Sequence, residues 1–257
     1  MSGPSDTDGL PAHRSLGSLV AINLVGLLVV AVLLGLGVWQ VQRRTWKLDL
    51  IARVEARVSA DPGPAPGPAD WPTITAETDA YRHLRLTGTF AYDRTSLVQA
   101  LTEFGGGFWV LTPLRTEAGF TVLINRGFVP SDRRDPAGWS QPAGPVTLTG
   151  LLRLTEPGGA FLRSNDPAAD RWFSRDVAAI ARARGLSDAA PYFVDADVGP
   201  DTGVLPVGGL TVVAFPNSHL VYAVTWFVLA AMSAGALVYL DREALGARRH
   251  RAADHRS

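Results

Sequence analysis

The sequence predicts a membrane protein with α+β character: a hairpin of two transmembrane helices flanking a β-rich extracytoplasmic domain. Three observations carry this prediction. Leu19–Trp39 and Leu220–Leu240 are apolar runs of 21 residues each, with Asn23 the one strongly polar side chain in the first. A hydrocarbon core of about 30 Å takes about 20 helical residues, so each run is long enough to span once. Between them the apolar pattern shifts to period two and is broken by Gly- and Pro-containing turns, which predicts an antiparallel barrel or sandwich with one helix.

Taken in order, residues 1–18 carry Ser, Asp and Pro without periodicity and read as a disordered cytoplasmic tail. Transmembrane helix 1 follows over 19–39. Its apolar stretch exceeds the roughly 7–15 residues of a signal-peptide core, and Gly37-Val38-Trp39-Gln40 is no small-residue cleavage motif, so it reads as a retained anchor. Leu48, Ile51, Val54 and Val58 recur at helical spacing and predict a juxtamembrane helix over 40–60. The Pro/Gly stretch at 61–71, with Pro62, Pro64, Pro66 and Pro68, continues no helix and reads as a stiff linker.

The β-rich domain occupies 72–218. Leu84, Leu86, Gly88 and Phe90 alternate, as do Phe120, Val122 and Ile124, and Val146, Leu148, Gly150 and Leu152. Gly105-Gly106-Gly107, Glu117-Ala118-Gly119 and Pro142-Ala143-Gly144 read as the turns between strands. One amphipathic helix, about Arg175 to Arg184, places Val177, Ile180 and Ala181 on one face, and a last apolar strand, Leu210 to Phe215, leads into transmembrane helix 2 at 219–240. A basic cytoplasmic tail fills 241–257. Ala31 and Gly35 on one helix and Ala231 and Gly235 on the other form small-xxx-small patterns, which permit helices to approach closely.

Charge sets the orientation. Formal net charge is zero, and the two tails carry six Arg. Long loops translocate largely regardless of charge whereas short basic tails do not, so the long middle, residues 40–218, is expected outside, with both tails in the cytoplasm. The absence of Cys excludes disulfides, thiolate metal sites and thiol nucleophiles. No basic patch of nucleic-acid size stands out. Gly-x-Ser-x-Gly, His-Glu-x-x-His, the P-loop and the dinucleotide-binding glycine pattern are all missing, so no enzyme is expected.

Of the five His, three (His13, His250 and His255) fall in the tails and His83 opens a strand as an exposed polar residue. His219 differs, because it begins a membrane helix. His219, Tyr222, Ala223 and Trp226 follow i, i+3, i+4, i+7 and share a face. Trp226 lies roughly 10 Å deeper at 1.5 Å per residue, where its indole N–H needs a partner. The set reads as an interfacial anchor or as a ligand site for a flat, amphipathic, membrane-soluble molecule. Trp39, Gln40, Arg43 and Trp46 share a face at the other helix end. Together the two ends offer aromatic walls, an imidazole able to ligate iron and guanidinium groups able to clamp carboxylates, which are the needs of a haem. Asn125-Arg126-Gly127 reads as a tight strand-end turn with Gly at positive φ, or as a partner contact surface.

Four stretches, in order, resemble one known family. Leu36-Gly37-Val38-Trp39-Gln40-Val41-Gln42-Arg43-Arg44-Thr45-Trp46-Lys47-Leu48-Asp49-Leu50-Ile51 is similar to the opening signature of the Surfeit locus protein 1 family. Phe108-Trp109-Val110-Leu111-Thr112-Pro113-Leu114 and Val122-Leu123-Ile124-Asn125-Arg126-Gly127-Phe128-Val129-Pro130 resemble its central strands. Asn217-Ser218-His219-Leu220-Val221-Tyr222-Ala223-Val224-Thr225-Trp226-Phe227 resembles the start of its second membrane helix. Phe128 stands where an indole is common, and the linker is unusually rich in proline.

The resemblance implies a cytochrome c oxidase assembly factor, a chaperone of respiratory chain biogenesis with its middle domain on the outer side of the membrane. It implies binding of haem a as transient cargo and help in placing it in oxidase subunit I, with haem a synthase as a further partner. The family's histidine falls on His219, as ligand to the haem iron, with Trp226, Tyr222, Trp39 and Arg43 around it. The 23 Arg against one Lys point to a bacterial cytoplasmic membrane. A scaffold that stabilises oxidase subunits without touching haem is the alternative. A two-helix sensor is disfavoured by the short tail after Leu240.

Overall fold

The computed structural model describes residues 16–160, 162–199, 203–211 and 217–254. The chain divides into two compact units, residues 1–50 with 215–257, and residues 51–214.

The first unit is built from two long helices. α1 runs unbroken over Leu16–Val58, and α4 over His219–Asp254. Neither contains proline, and Pro62 stops the first soon after its end. Leu16–Val58 and His219–Gly246 are each long and apolar enough to cross a membrane. The predicted tail after residue 240 therefore begins as a continuation of α4.

The two helices meet through glycines other than those expected. A Cβ on Gly37 would lie 2.6 Å from the Phe227 ring, and one on Gly26 would strike Leu237. Ala223 and Ala230 are buried, whereas Ala31, Gly35, Ala231 and Gly235 are exposed. Helical phase explains the correction. At about 100° per residue, Gly26 and Gly37 are three turns apart on one face, while Ala31 and Gly35 lie about 140–180° round from it. At the far end Asn23 Nδ2 donates to Leu19 O at 3.1 Å and to Asp241 Oδ1 at 2.8 Å.

In the second unit the Pro-rich stretch is more than a linker. β1, Gly63–Pro64, pairs parallel with β2, His83–Phe90, and proline is tolerated there because the strand lies at an edge. Pro66 O accepts from Tyr192 Oη at 2.8 Å and from Trp71 Nε1 at 3.1 Å. A buried phenol needs an acceptor, and burial raises its pKa, so this carbonyl fastens the segment to the sheet. α2, Ala76–Asp79, is N-capped by Thr75.

The remaining strands are β3 (Ser96–Thr102), β4 (Gly105–Thr116), β5 (Thr121–Pro130), β6 (Pro145–Leu154), β7 (Gly159–Ala160) and β8 (Arg163–Ser164). α3, Val177–Ala183, then leads to β9, Ala189–Ala196. The main sheet has the order β1-β2-β6-β9-β5-β4-β3, and β2 also pairs with β4. β2, β6, β9, β5 and β4 thus close into a five-stranded barrel. Leu86, Leu114, Val122, Ile124, Tyr192 and Val194 belong to one core cluster. A second cluster packs Val177 and Ile180 of α3 against Leu111, Leu123, Phe193 and Trp172.

Four sequence expectations are corrected here. The barrel is not wholly antiparallel, since β5 and β9 run parallel, with β6 and α3 between them along the chain. The barrel domain has α2 as well as the expected helix. Gly105-Gly106-Gly107 is no turn: these residues open β4 opposite Leu101 and Ala100, and the chain reverses at Glu103-Phe104. Leu210 and Thr211 lie outside any strand, while 212–215 of the predicted last strand fall outside the described residues, as do 1–15 and 255–257 of the predicted tails.

Candidate functional site

Gln40, midway along α1, and His219, at the start of α4, bring one pair of candidate residues into direct contact. His219 is the first residue of α4, and its Nδ1 lies 2.8 Å from Gln40 Oε1. With the amide oxygen accepting, Nδ1 carries the imidazole proton and Nε2 presents its lone pair. That is the tautomer a metal ion requires. Beside it, Asn217 Oδ1 is buried with no hydrogen-bond partner among the described residues.

The flanking residues stand at different angles around this pair. Arg43 packs its guanidinium over the Trp46 ring, 4.2 Å from the centroid, and forms no ion pair among the described residues. Stacking leaves the edge of the fork free to meet a carboxylate. Ala223 and Trp226 turn inward, the first fully buried and the second half-buried. Trp39 and Tyr222 are each 53% exposed. The four-residue face read on α4 is therefore split, because an i+3 step and an i+4 step diverge by about 100°. Of these residues, Gln40 alone hydrogen-bonds to His219 among the described residues. The donor set nevertheless fits a flat metal-bearing cargo: an open imidazole nitrogen, an orphaned acceptor, an unpaired guanidinium and exposed aromatic faces.

The barrel holds polar groups that reading the sequence missed. Asp195 on β9 is 4% exposed and accepts from Asn125 Nδ2 at 2.7 Å, Arg153 Nη1 at 2.8 Å, Thr211 Oγ1 at 2.9 Å and Arg175 Nη1 at 3.3 Å. Arg175 also grips both oxygens of Glu156, at 3.0 and 2.6 Å. Burial opposes the Arg175 charge, but these carboxylates outweigh it and raise the pKa. Nothing in sequence marks this cluster, since its members come from β5, β6, β9 and the segments before α3 and before residue 212.

Asn125-Arg126-Gly127 is not a strand-end turn. It lies inside β5 where Val110 alone stands opposite Arg126 and Gly127, a bulge in the pairing with β4. Gly127 has φ of +129°, and a Cβ there would collide with the Val207 carbonyl. Arg126 is half-buried, donates to Ser140 O, and stacks 5.2 Å from Phe90 and 5.1 Å from Tyr92. Burial lowers its pKa, an effect that Tyr92 partly opposes. His83 is half-buried rather than exposed, bridging Ala60 O at 3.0 Å and Asp197 Oδ2 at 2.8 Å.

Comparison with known proteins matches residues 27–231 to the model of the SURF1 family. Surfeit locus protein 1 of Homo sapiens is 38% identical over 229 residues, covering 82% of this chain and 74% of that protein. The Rattus norvegicus protein of the same name is 35% identical over 223 residues, or 80% and 71%. That of Xenopus tropicalis is 35% identical over 240 residues, or 86% and 76%.

Proposed function

Because this chain belongs to the SURF1 family, we propose that it is an assembly factor for cytochrome c oxidase that holds haem a and helps insert it into subunit I. In this reading α1 and α4 form a membrane hairpin in a bacterial cytoplasmic membrane, and the barrel lies on the outer side. Haem a is cargo, delivered by haem a synthase and passed on, and no bond is made or broken in it. The protein is a carrier rather than an enzyme.

One observation supports the cargo site above others: Gln40 fixes the His219 ring so that Nε2 is free to ligate iron. Arg43 would meet a propionate by charge-assisted hydrogen bonds. Trp226, Tyr222 and Trp39 would supply apolar faces to the macrocycle. Asn217 Oδ1 is left as an open acceptor beside the ligand.

The test is made in an oxidase-bearing bacterium lacking its own copy of the gene. Reintroducing the wild-type chain should restore haem a in purified subunit I, and His219→Ala should not. Normal haem a content with His219→Ala would favour the scaffold that never touches haem.

A further inference from the structure

The barrel unit carries a cleft of about 660 Å³ that the cargo reading does not use. This volume falls in the range of about 300–1,000 Å³ that holds small-molecule ligands. Its walls are largely apolar, with Phe90, Val146, Leu148, Leu205, Val207 and Leu210 among them. Arg126 lines it as well. The guanidinium has five N–H donors, and its hydrogen bond to Ser140 O is the one it makes to a described residue. No acid among the described residues pairs with it.

The other charged group on the wall, Asp197, is bonded to His83 Nε2 at 2.8 Å and so is turned to a partner of its own. Phe90 and Tyr92 hold the Arg126 plane, which orients the fork without neutralising it. A half-buried cation with free, oriented donors and apolar surroundings has a defined complement. We propose that this cleft binds a small molecule bearing one carboxylate on an apolar body, the carboxylate meeting the Arg126 fork. The shape of the cleft depends on Gly127, whose missing side chain lets the 203–211 segment close against β5. Phe128 and Val207 exchange both backbone hydrogen bonds there, at 2.9 Å each.

The inference stands apart from the His219 site and is tested without haem. The full chain is placed in phospholipid nanodiscs, and equilibrium dialysis compares naphthalene-2-carboxylate with naphthalene-2-carboxamide, empty discs being subtracted. The wild type should bind the carboxylate at least about tenfold more tightly than the amide, as a charge-assisted pair predicts. Arg126→Gln should abolish that preference while keeping the amide affinity, which also reports that the cleft is intact. Arg126→Lys, which keeps charge but loses the fork, should fall between them and decides the matter if the Gln variant fails to fold. Equal binding of both compounds by the wild type, no binding of either, or an unchanged preference in the variants overturns the proposal.

Discussion

His219 and Gln40, 179 residues apart in sequence, are joined side chain to side chain at 2.8 Å, from the first residue of α4 to the middle of α1. The contact does for the imidazole what an outer-shell partner does in metal sites, fixing both ring orientation and tautomer. Gln40→Ala should therefore weaken haem a binding by about 10–100-fold while the helices still pair. Gln40→Glu, which keeps an oxygen acceptor, should retain most of the affinity. Titration of haem a into detergent-solubilised variants checks this, and identical curves for wild type and Gln40→Ala would remove Gln40 from the site.

Asp195 compensates two guanidinium groups inside the barrel wall. Asp195→Ala leaves Glu156 as the one carboxylate shared by Arg153 and Arg175 among the described residues. Removing one partner from a buried pair costs about 3–5 kcal/mol. The expected drop in Tm is about 6–20 °C for a chain of this size, read by thermal unfolding.

Gly127→Ala combines an unfavourable φ of +129° with a clash against the Val207 carbonyl. The two effects together should cost about 3 kcal/mol or more. The matched control is Gly119→Ala, which shares a positive φ but has open space around it. Thermal melts should show the Gly127 variant as clearly the less stable of the two.

Asp79 gives a pH signature. Burial raises its pKa, but hydrogen bonds from Thr78 Oγ1, Thr75 N and Arg82 together outweigh that and leave it lowered. Its folded pKa lies below the unfolded one, so its stabilisation is present above the ordinary carboxylate value and is lost as pH falls through the lowered one. Asp79→Asn should be less stable than wild type at neutral pH, with the gap narrowing as pH falls below the ordinary carboxylate range. A gap independent of pH would show that the carboxylate charge plays no part.

How much of this was readable follows from how each element is buried. The long helices stand out because their apolar runs need no partner to be recognised. β2 and β6 keep an alternating pattern along much of their length, and His83–Phe90 reads accordingly. β4 and β9 are buried for most of their length on both faces, so their alternation vanishes, and Pro191 further masks β9. The bulge at Arg126-Gly127 hid a mid-strand cation behind what resembles turn chemistry. Of the helix-end residues, His219 is legible by its position, but its partner is not. Gln40 stands on the candidate face of the first helix, but its bond to His219 needs two helices distant in sequence to lie side by side, and the same pairing buries Ala223 while leaving Tyr222 exposed.

In the proposed function His219 ligates the iron of a haem a cargo. The most direct measurement is the absorption spectrum of the full chain titrated with haem a, wild type against His219→Ala, each with its unfolding curve recorded. The wild type should show a saturable shift of the Soret band that is lost or strongly weakened in a variant that remains folded. Superimposable spectra from the two proteins would contradict it.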